Sequence, residues 1–542
     1  MSPSATFDTP SAGHSNRLKI LVPEKVSPDG LALLTPHFDV DNRKGLTATE
    51  LINLIPNYHG LIIRSETQVT AEVVQAGRKL RVVARAGVGV DNIDVPAASA
   101  QGVIVVNSPS GNILAAAEHT IALLLSTARN VGQADSSVKA GRWERSKLVG
   151  VEVGRKTLGI IGLGKVGMNV ARMAIGLGMT VKAVDPYAST DMARQTGVEL
   201  VPGLEDLLPV VDFLTIHTPL LATTLDLVGE AEFKKMKKTA RVLNVARGEP
   251  LAADSAAARL SQHHKVVATP HLGASTIEAQ ENVSMDVCKQ VLEILQGGLP
   301  TSAVNAPIIM PEEYRKLQPS VQLVEKMGRL YTQHFVRSKG GMIGGRRFEL
   351  IYHGDLAGMT NTKPLFAALV KGLVSTISDS HINMVNAALI AKEKGIVISE
   401  TRSGDSPSTY ANFVTLRSYQ AGSSGSEQVI EGYASDEQVF ISKLDRFNGV
   451  FTPEGTLIIL HNYDEPGKIG GVGMVLGKHG INIKFMQVAS LDPEASKGAD
   501  TPPDPKGNEA LMILGVLGPV SGEVLEDLKN SPGVLDVGLV KL

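Results

Sequence analysis

Along the first hundred residues, short apolar runs alternate with stretches whose apolar positions recur at helical spacing. "LKILV" is followed by "PDGLALL", and "HGLIIRS", "LRVVAR" and "GVIVVNS" continue the series. Short apolar runs bounded by turn residues read as strands, and helices between them argue for parallel pairing with crossovers. The segment "NILAAAEHTIALLLSTARNVGQADSSVKAG" keeps helical spacing much longer and predicts one linking helix into a second unit. That unit opens with "KTLGIIGLGKVGMNVARMAIGLGMTVKAVDP". A third region, 317–452, mixes strands such as "RRFELIYHG" with helices such as "TKPLFAALVKGLVSTI". The last, 455–542, predicts strand, helix and strand, then the loop "DPEASKGADTPPDPKGN", then strand, helix and strand.

Composition narrows the picture. A chain of 542 residues exceeds what one hydrophobic core supports, so three or four domains are expected. Lys plus Arg is 53 against 55 for Asp plus Glu, which gives no reason to expect nucleic acid or an anionic membrane as partner. The single cysteine, Cys288, excludes an intrachain disulfide and fits a reducing compartment. It falls in a helix-like stretch and reads as a small core residue. No apolar run reaches the ~18 residues of a membrane span. The opening "MSPSATFDTPSAGHSN" reads as a disordered cytosolic tail, residues 1–16, and no metal site is expected.

The most specific physical motif is "GLGKVG". It sets Gly162, Gly164 and Gly167 directly after an apolar strand and at the opening of a helix. Gly162 permits the tight turn, and Gly164 lets the backbone approach a pyrophosphate at the helix N-terminus. Gly167 allows close packing of helix on strand. The next strand, "TVKAVDP", ends in Asp185 about 20 residues further on, where a carboxylate accepts ribose hydroxyls and repels a 2′-phosphate. NAD is the cofactor this predicts.

A second candidate set closes the region. "NVARGE" is a strand running into Arg247 and Glu249, and "VVATPH" is a second strand running into His271. Oxidising an alcohol by hydride transfer needs a base that titrates near neutrality, which suits imidazole. It also needs a cation for a carboxylate, which suits guanidinium, and an acid behind the imidazole to fix its tautomer.

The stretches "RAGVGVDNID", "NSPSGNILAAAEHTIALLL", "GRWERSKLVGVEVGRKTLGIIGLGKVG", "HTPLLATT", "NVARG" and "PHLGAST" resemble, in order, the D-isomer-specific 2-hydroxyacid dehydrogenases. The resemblance spans most of residues 18–310. From about Leu317 the chain is similar to the family's long members, with an intervening regulatory domain and, at "DEPGKIGGVGMVLGKHGINI", a C-terminal ACT domain. The implied fold is α/β: a Rossmann-type NAD-binding domain (118–289) inserted in a flavodoxin-like substrate domain (17–117 and 290–316). An α+β intervening domain (317–452) and a ferredoxin-like ACT domain (455–542) follow. The implied activity is NAD-dependent oxidation of 3-phospho-D-glycerate to 3-phosphohydroxypyruvate, the first step of serine biosynthesis, in a cytoplasmic homotetramer.

By the same resemblance, His271, Arg247 and Glu249 are catalytic. Lys165 and Val166 join the glycines in the phosphate loop, and Asp185 meets the ribose. Thr218 approaches the adenosine, Val245 and Ala246 the nicotinamide, and Gly273 and Ala274 also contact the cofactor. Arg64, Ser65, Val88 and Gly89 cradle the substrate, with Gly87 beside them. Trp143, Arg142 and Arg145 either meet the substrate phosphate of a neighbouring subunit or form a solvated basic patch. Asn462, Asp464 and Asn482 fall at the serine-contacting positions, and the ACT region either binds serine or only assembles subunits.

One length does not fit. The family places a helix, a strand with an acidic-Pro turn, a loop and a further strand between the "ARG" strand and the catalytic His. Only 21 residues lie between Gly248 and Pro270. A crossover with its helix takes ~10–12 residues and a strand about 5–6. If "LAADSAAARLSQHH" is the crossover helix, the following strand and the family's Glu are gone. If "EPLAADS" is the acidic-Pro turn, the cut falls between Gly248 and Glu249 and a helix and a strand are lost together, which is the preferred reading. The expectation is a poorly folded or nearly inactive form. The alternative function is a silent variant that acts only by binding ligand or partnering other subunits.

Overall fold

A computed structural model describes residues 17–219, 223–224, 226–246, 261, 263, 266–337, 343–378, 381–404, 412–420, 427–436, 438–491 and 509–542. Arg247 and Glu249 lie outside the described residues, as does the expected N-terminal tail. Two compact units divide the chain. One is Met1–Gln68, Val83–Asn92 and Val106–Gln296; the other is Val69–Val82, Ile93–Val105 and Gly297–Leu542. No described helix is long and apolar enough to cross a membrane.

The first sheet is built from β1 (Lys19–Val22), β2 (Asp39–Asn42), β3 (Gly60–Ile63), β4 (Val82–Arg85) and β5 (Ile104–Asn107), in the order β2-β1-β3-β4-β5. The second holds β6 (Thr157–Ile161), β7 (Thr180–Val184), β8 (Glu199–Leu200), β9 (Phe213–Ile216) and β10 (Arg241–Asn244). Its order is β10-β9-β6-β7-β8, with every pair parallel. Counted from β8 this is 3-2-1-4-5, the order of the first five strands of a dinucleotide-binding sheet. It reverses between β6 and β9, where such sheets place their ligand. Among the described residues β10 is the edge strand, with Leu243 buried and Val242 38 % exposed.

Two sequence expectations need correction here. The long linking helix is two helices, Ile113–Ala128 and Val131–Lys139. They break at Asn130, whose φ of 53° is left-handed. Asparagine tolerates that conformation, and its side-chain amide donates to the carbonyls of Leu148 and Val149. The second correction is larger. Residues 266–270 form no strand. They run beside the two helices instead: Val267 Cγ2 stands 3.9 Å from where a Cβ on Gly132 would be, and Thr269 Oγ1 is 3.3 Å from His119 Nε2. The β-branched residues favour extended chain, but a strand needs a neighbour one spacing of ~4.8 Å away. No sixth strand flanks β10 among the described residues to provide one.

The second unit contains a ten-stranded sheet. Its strands are β11 (Arg346–Gly354), β12 (Val397–Ser403), β13 (Asn412–Gln420), β14 (Gln428–Ser435), β15 (Gln438–Leu444) and β16 (Phe447–Phe451). They continue with β17 (Thr456–Tyr463), β18 (Asn482–Leu491), β19 (Glu509–Leu517) and β20 (Val534–Lys541). The order is β12-β11-β13-β14-β15-β16-β18-β19-β17-β20. Only β12 runs parallel to its neighbour, β11. With the helices Lys468–Lys478 and Gly522–Lys529, the last four strands make a β-α-β-β-α-β unit. It joins the rest of the sheet through Phe447↔Leu491 and Asn448↔Ser490. A buried cluster running from Leu317 on the helix Pro311–Tyr331 to Val540 on β20 makes this a shared core.

Candidate active site

The turn after β6 has the geometry its glycines predict. Gly162 sits at φ +93°, and a Cβ there would lie 3.0 Å from the His217 carbonyl carbon. A Cβ on Gly167 would lie 2.2 Å from the Gly162 oxygen, so the helix Lys165–Gly176 rests directly on the turn. Gly164 is different: nothing stands within 4 Å of its missing Cβ. Two glycines are thus required by packing, and the third leaves an open face at a helix N-terminus. That face suits an anion approaching the backbone. Asp185 is tied into the same turn, its two oxygens accepting from the amides of Leu163 (2.7 Å) and Tyr187 (2.8 Å). A carboxylate has about four acceptor sites, so capacity for ribose hydroxyls is left. Lys165 Nζ donates to Ser110 Oγ at 2.9 Å.

His217 supports the turn from behind. Burial pushes its imidazole down to about 4, and Nε2 lies 3.0 Å from Thr215 Oγ1. Thr218, next in the chain, puts its methyl 3.1 Å from the Gly162 Cβ position. On β10's far end, Ala246 N donates to Asn244 Oδ1, and both Val245 and Ala246 are half-buried.

The loop after β3 is held by a buried acid that the sequence reading missed. Glu24, 7 % exposed, accepts from the backbone amides of Arg64 (2.9 Å), Glu66 (3.2 Å) and Thr67 (3.0 Å). Asn92 closes the other side, donating to the carbonyls of Arg64 and Thr67. Arg64 and Ser65 therefore sit on a fixed loop. Val88 and Gly89 follow Gly87, whose carbonyl accepts from Ser108 N, and Asn107 Nδ2 donates to the Val88 carbonyl. The signal for Glu24 was its position just past the end of β1, where open α/β sheets gather functional groups.

His271 lies on an exposed turn. Gly273, two residues on, stands 3.9 Å (as a built Cβ) from Ala116 Cβ. The chain from Ser110 to His119 is thus a common neighbour: Ser110 meets Lys165, Ala116 meets Gly273, and His119 meets Thr269.

Residues 121–269 match the NAD-binding domain of D-isomer specific 2-hydroxyacid dehydrogenases, and 316–438 match the intervening domain of D-3-phosphoglycerate dehydrogenase. The chain is 37 % identical over 553 residues to D-3-phosphoglycerate dehydrogenase of Synechocystis sp., covering 97 % of this chain and 95 % of that one. The chain belongs to the D-3-phosphoglycerate dehydrogenase family. To the Archaeoglobus fulgidus member it is 38 % identical over 550 residues, covering 97 % of this chain and 100 % of that one. D-3-phosphoglycerate dehydrogenase 2, chloroplastic, of Arabidopsis thaliana is 41 % identical over 539 residues (91 % and 84 %). The Synechocystis alignment is longer than the 542 residues of this chain, so that family member carries positions that this chain lacks.

Other residues singled out in the sequence divide sharply. Trp143 is 84 % exposed, and Arg142 is engaged by Glu144 at 3.2 Å. Hydrogen bonds from Lys147, Ser137 and Arg142 hold the Glu144 carboxyl down to about 2. Cys288 is buried, and burial pushes its thiol up to about 12, as a core residue requires. Asn462, on β17, is 4 % exposed; its Nδ2 donates to the Tyr463 carbonyl while Oδ1 is buried without a partner. Asp464 is exposed just beyond. Asn482 is at the opposite end of this sheet: it pairs with Leu517, whereas Asn462 is level with Ala510. One chain does not bring these three together.

Proposed function

We propose that the chain oxidises the C2 hydroxyl of 3-phospho-D-glycerate to 3-phosphohydroxypyruvate with NAD, the opening step of serine biosynthesis. The observation that carries this reading is the turn at Gly162, Gly164 and Gly167 with Asp185 bonded into it, in a chain whose relatives of that name align along nearly their whole length. The silent-variant reading has no such support and is not adopted.

Gly162, Gly164, Lys165, Val166 and Gly167 present backbone N–H groups and an ammonium to the pyrophosphate, and Asp185 accepts from the ribose. When bound, NAD supplies a hydride acceptor. Thr218, Val245, Ala246, Gly273 and Ala274 flank it. Arg64, Ser65, Val88 and Gly89 hold the substrate's anionic groups, on the loop that Glu24 and Asn92 fix. His271 takes the hydroxyl proton, Arg247 holds the carboxylate and polarises the forming carbonyl, and Glu249 keeps the imidazole oriented. The family pattern's helix and strand before Glu249 are missing from the sequence, and residues 266–270 before His271 are not in the sheet. A displacement of ~1 Å at a site costs ~100-fold in rate. Turnover is therefore slow compared with a chain that has the sixth strand.

On the same reading, the substrate domain is 17–117 with 290–316, the NAD-binding domain 118–289, the intervening domain 317–452 and the ACT domain 455–542. The protein works as a cytoplasmic homotetramer. Asn462 and Asp464 of one subunit meet Asn482 of another, where serine binds or subunits simply join. Following NADH formation with 3-phosphoglycerate tests the assignment. NADH formation that vanishes in His271→Asn supports it; none in the parent chain, with NAD shown to bind, overturns it.

A further inference from the structure

The two edges of the ten-stranded sheet are finished differently. At the β20 edge, Gln333 brackets the chain: its Nε2 donates to the Lys541 carbonyl and its Oε1 accepts from Lys541 N, both at 2.9 Å. At the other edge, β12 is exposed or half-exposed along its whole length, with Val397 58 % exposed. No strand pairs with its outer side among the described residues.

A seven-residue open edge is a template for another strand. Charges commonly protect such edges, but here their order matters. Glu400 and Arg402 are two apart and share one face. Tyr352, fully buried, donates its hydroxyl to Glu400 Oε1 at 2.5 Å and so fixes that carboxylate at the edge. Arg402 makes no ion pair among the described residues. Thr401 is on the opposite face, its Oγ1 donating to Glu349 at 2.8 Å.

We infer that β12 pairs antiparallel with β12 of a second copy of this chain, about a twofold axis through Thr401. In that register Glu400 of each strand stands opposite Arg402 of the other, Ser399 opposite Ser403, and Ile398 opposite Gly404. A parallel, in-register stack sets Glu400 against Glu400 and Arg402 against Arg402. The pattern is therefore self-complementary in one arrangement and self-repelling in the other, as an isologous contact requires. Directly opposed charge pairs contribute about 0.2–1 kcal/mol each and like charges cost a similar amount. A strand pair alone is below the ~1,000 Å² of a stable interface, so it acts beside other contacts between copies.

The test uses the full chain carrying Thr401→Cys, since Cys288 is buried and does not compete. Directly opposed Cβ atoms lie about 4.5–5.5 Å apart across an antiparallel pair, close to disulfide reach. Mild oxidation is expected to give a covalent dimer at least tenfold faster than for Val397→Cys, which is far from its own copy in this register. Adding Arg402→Glu sets Glu against Glu and slows cross-linking severalfold, as does adding Glu400→Arg. Mixing these two variants restores a mixed dimer, because every opposed pair is then Arg with Glu. If Glu400→Arg fails to fold for loss of the Tyr352 contact, Arg402→Glu and the cysteine pair still decide. Equal rates for the two cysteine variants, or no effect of Arg402→Glu, overturn the inference.

Discussion

The second parallel sheet has two halves that fare differently. On the side of β6 and β7, Gly162, Gly167 and Asp185 are held by contacts, and Gly164 leaves one open anion face. On the side of β10, no further strand follows among the described residues, and residues 266–270, just before His271, lie along helices and not in the sheet. The cofactor half depends on a turn, a helix and an acid within about thirty consecutive residues, buttressed by His217 and Thr218 after β9. The catalytic half, as proposed, would depend on strands being delivered in the right order across the sheet. On the function proposed above, the helix and strand missing from the sequence would spare the first and damage the second, so that binding and turnover separate.

The largest expected effect comes from removing the base. His271→Asn should lower kcat by about 10²–10⁴-fold and leave the NAD dissociation constant unchanged, measured by steady-state kinetics and by titration of bound nucleotide. A change in both would mean the halves are not separate. The next concerns pH. His217 is held neutral in the folded chain, so stability is full above its ordinary value near 6.5 and is lost as pH falls towards about 4. The loss is about 3 kcal/mol, seen as a falling urea midpoint, and His217→Gln should flatten that profile. Asp185→Asn should weaken NAD binding by about 10-fold, because one hydrogen bond to a charged group contributes ~1.5–3 kcal/mol and an amide keeps part of it. NADP binding should weaken less or improve. The smallest effect is on packing remote from either half. A Cβ on Gly30 would lie 3.1 Å from Cys288 Sγ and 3.2 Å from the Ser284 carbonyl oxygen. Gly30→Ala should cost about 1 kcal/mol in thermal unfolding with kinetic constants intact.

The phosphate loop was legible in the sequence because its requirements are local: a strand, three glycines, a helix and an acid at a set distance. So were the alternating parallel strands. The fate of "VVATP" was not, because extended propensity says nothing about whether a partner strand arrives. Asn130 breaks a helix that spacing alone would continue, and only its left-handed φ reveals it. Glu24 and Asn92 carry no periodic signature, and their value lies in which backbone amides and carbonyls they meet. The joining of β16 to β18 rests on two residue pairs about forty positions apart, beyond any local pattern.

The central claim is tested most directly by kcat of a variant in which a helix and strand of the family pattern are inserted between Gly248 and Glu249, with NAD affinity measured on the same samples. The account predicts a rise in kcat of about 100-fold over the parent chain at unchanged NAD affinity. Equal kcat in the two proteins, or a gain that comes entirely from tighter NAD binding, would contradict it.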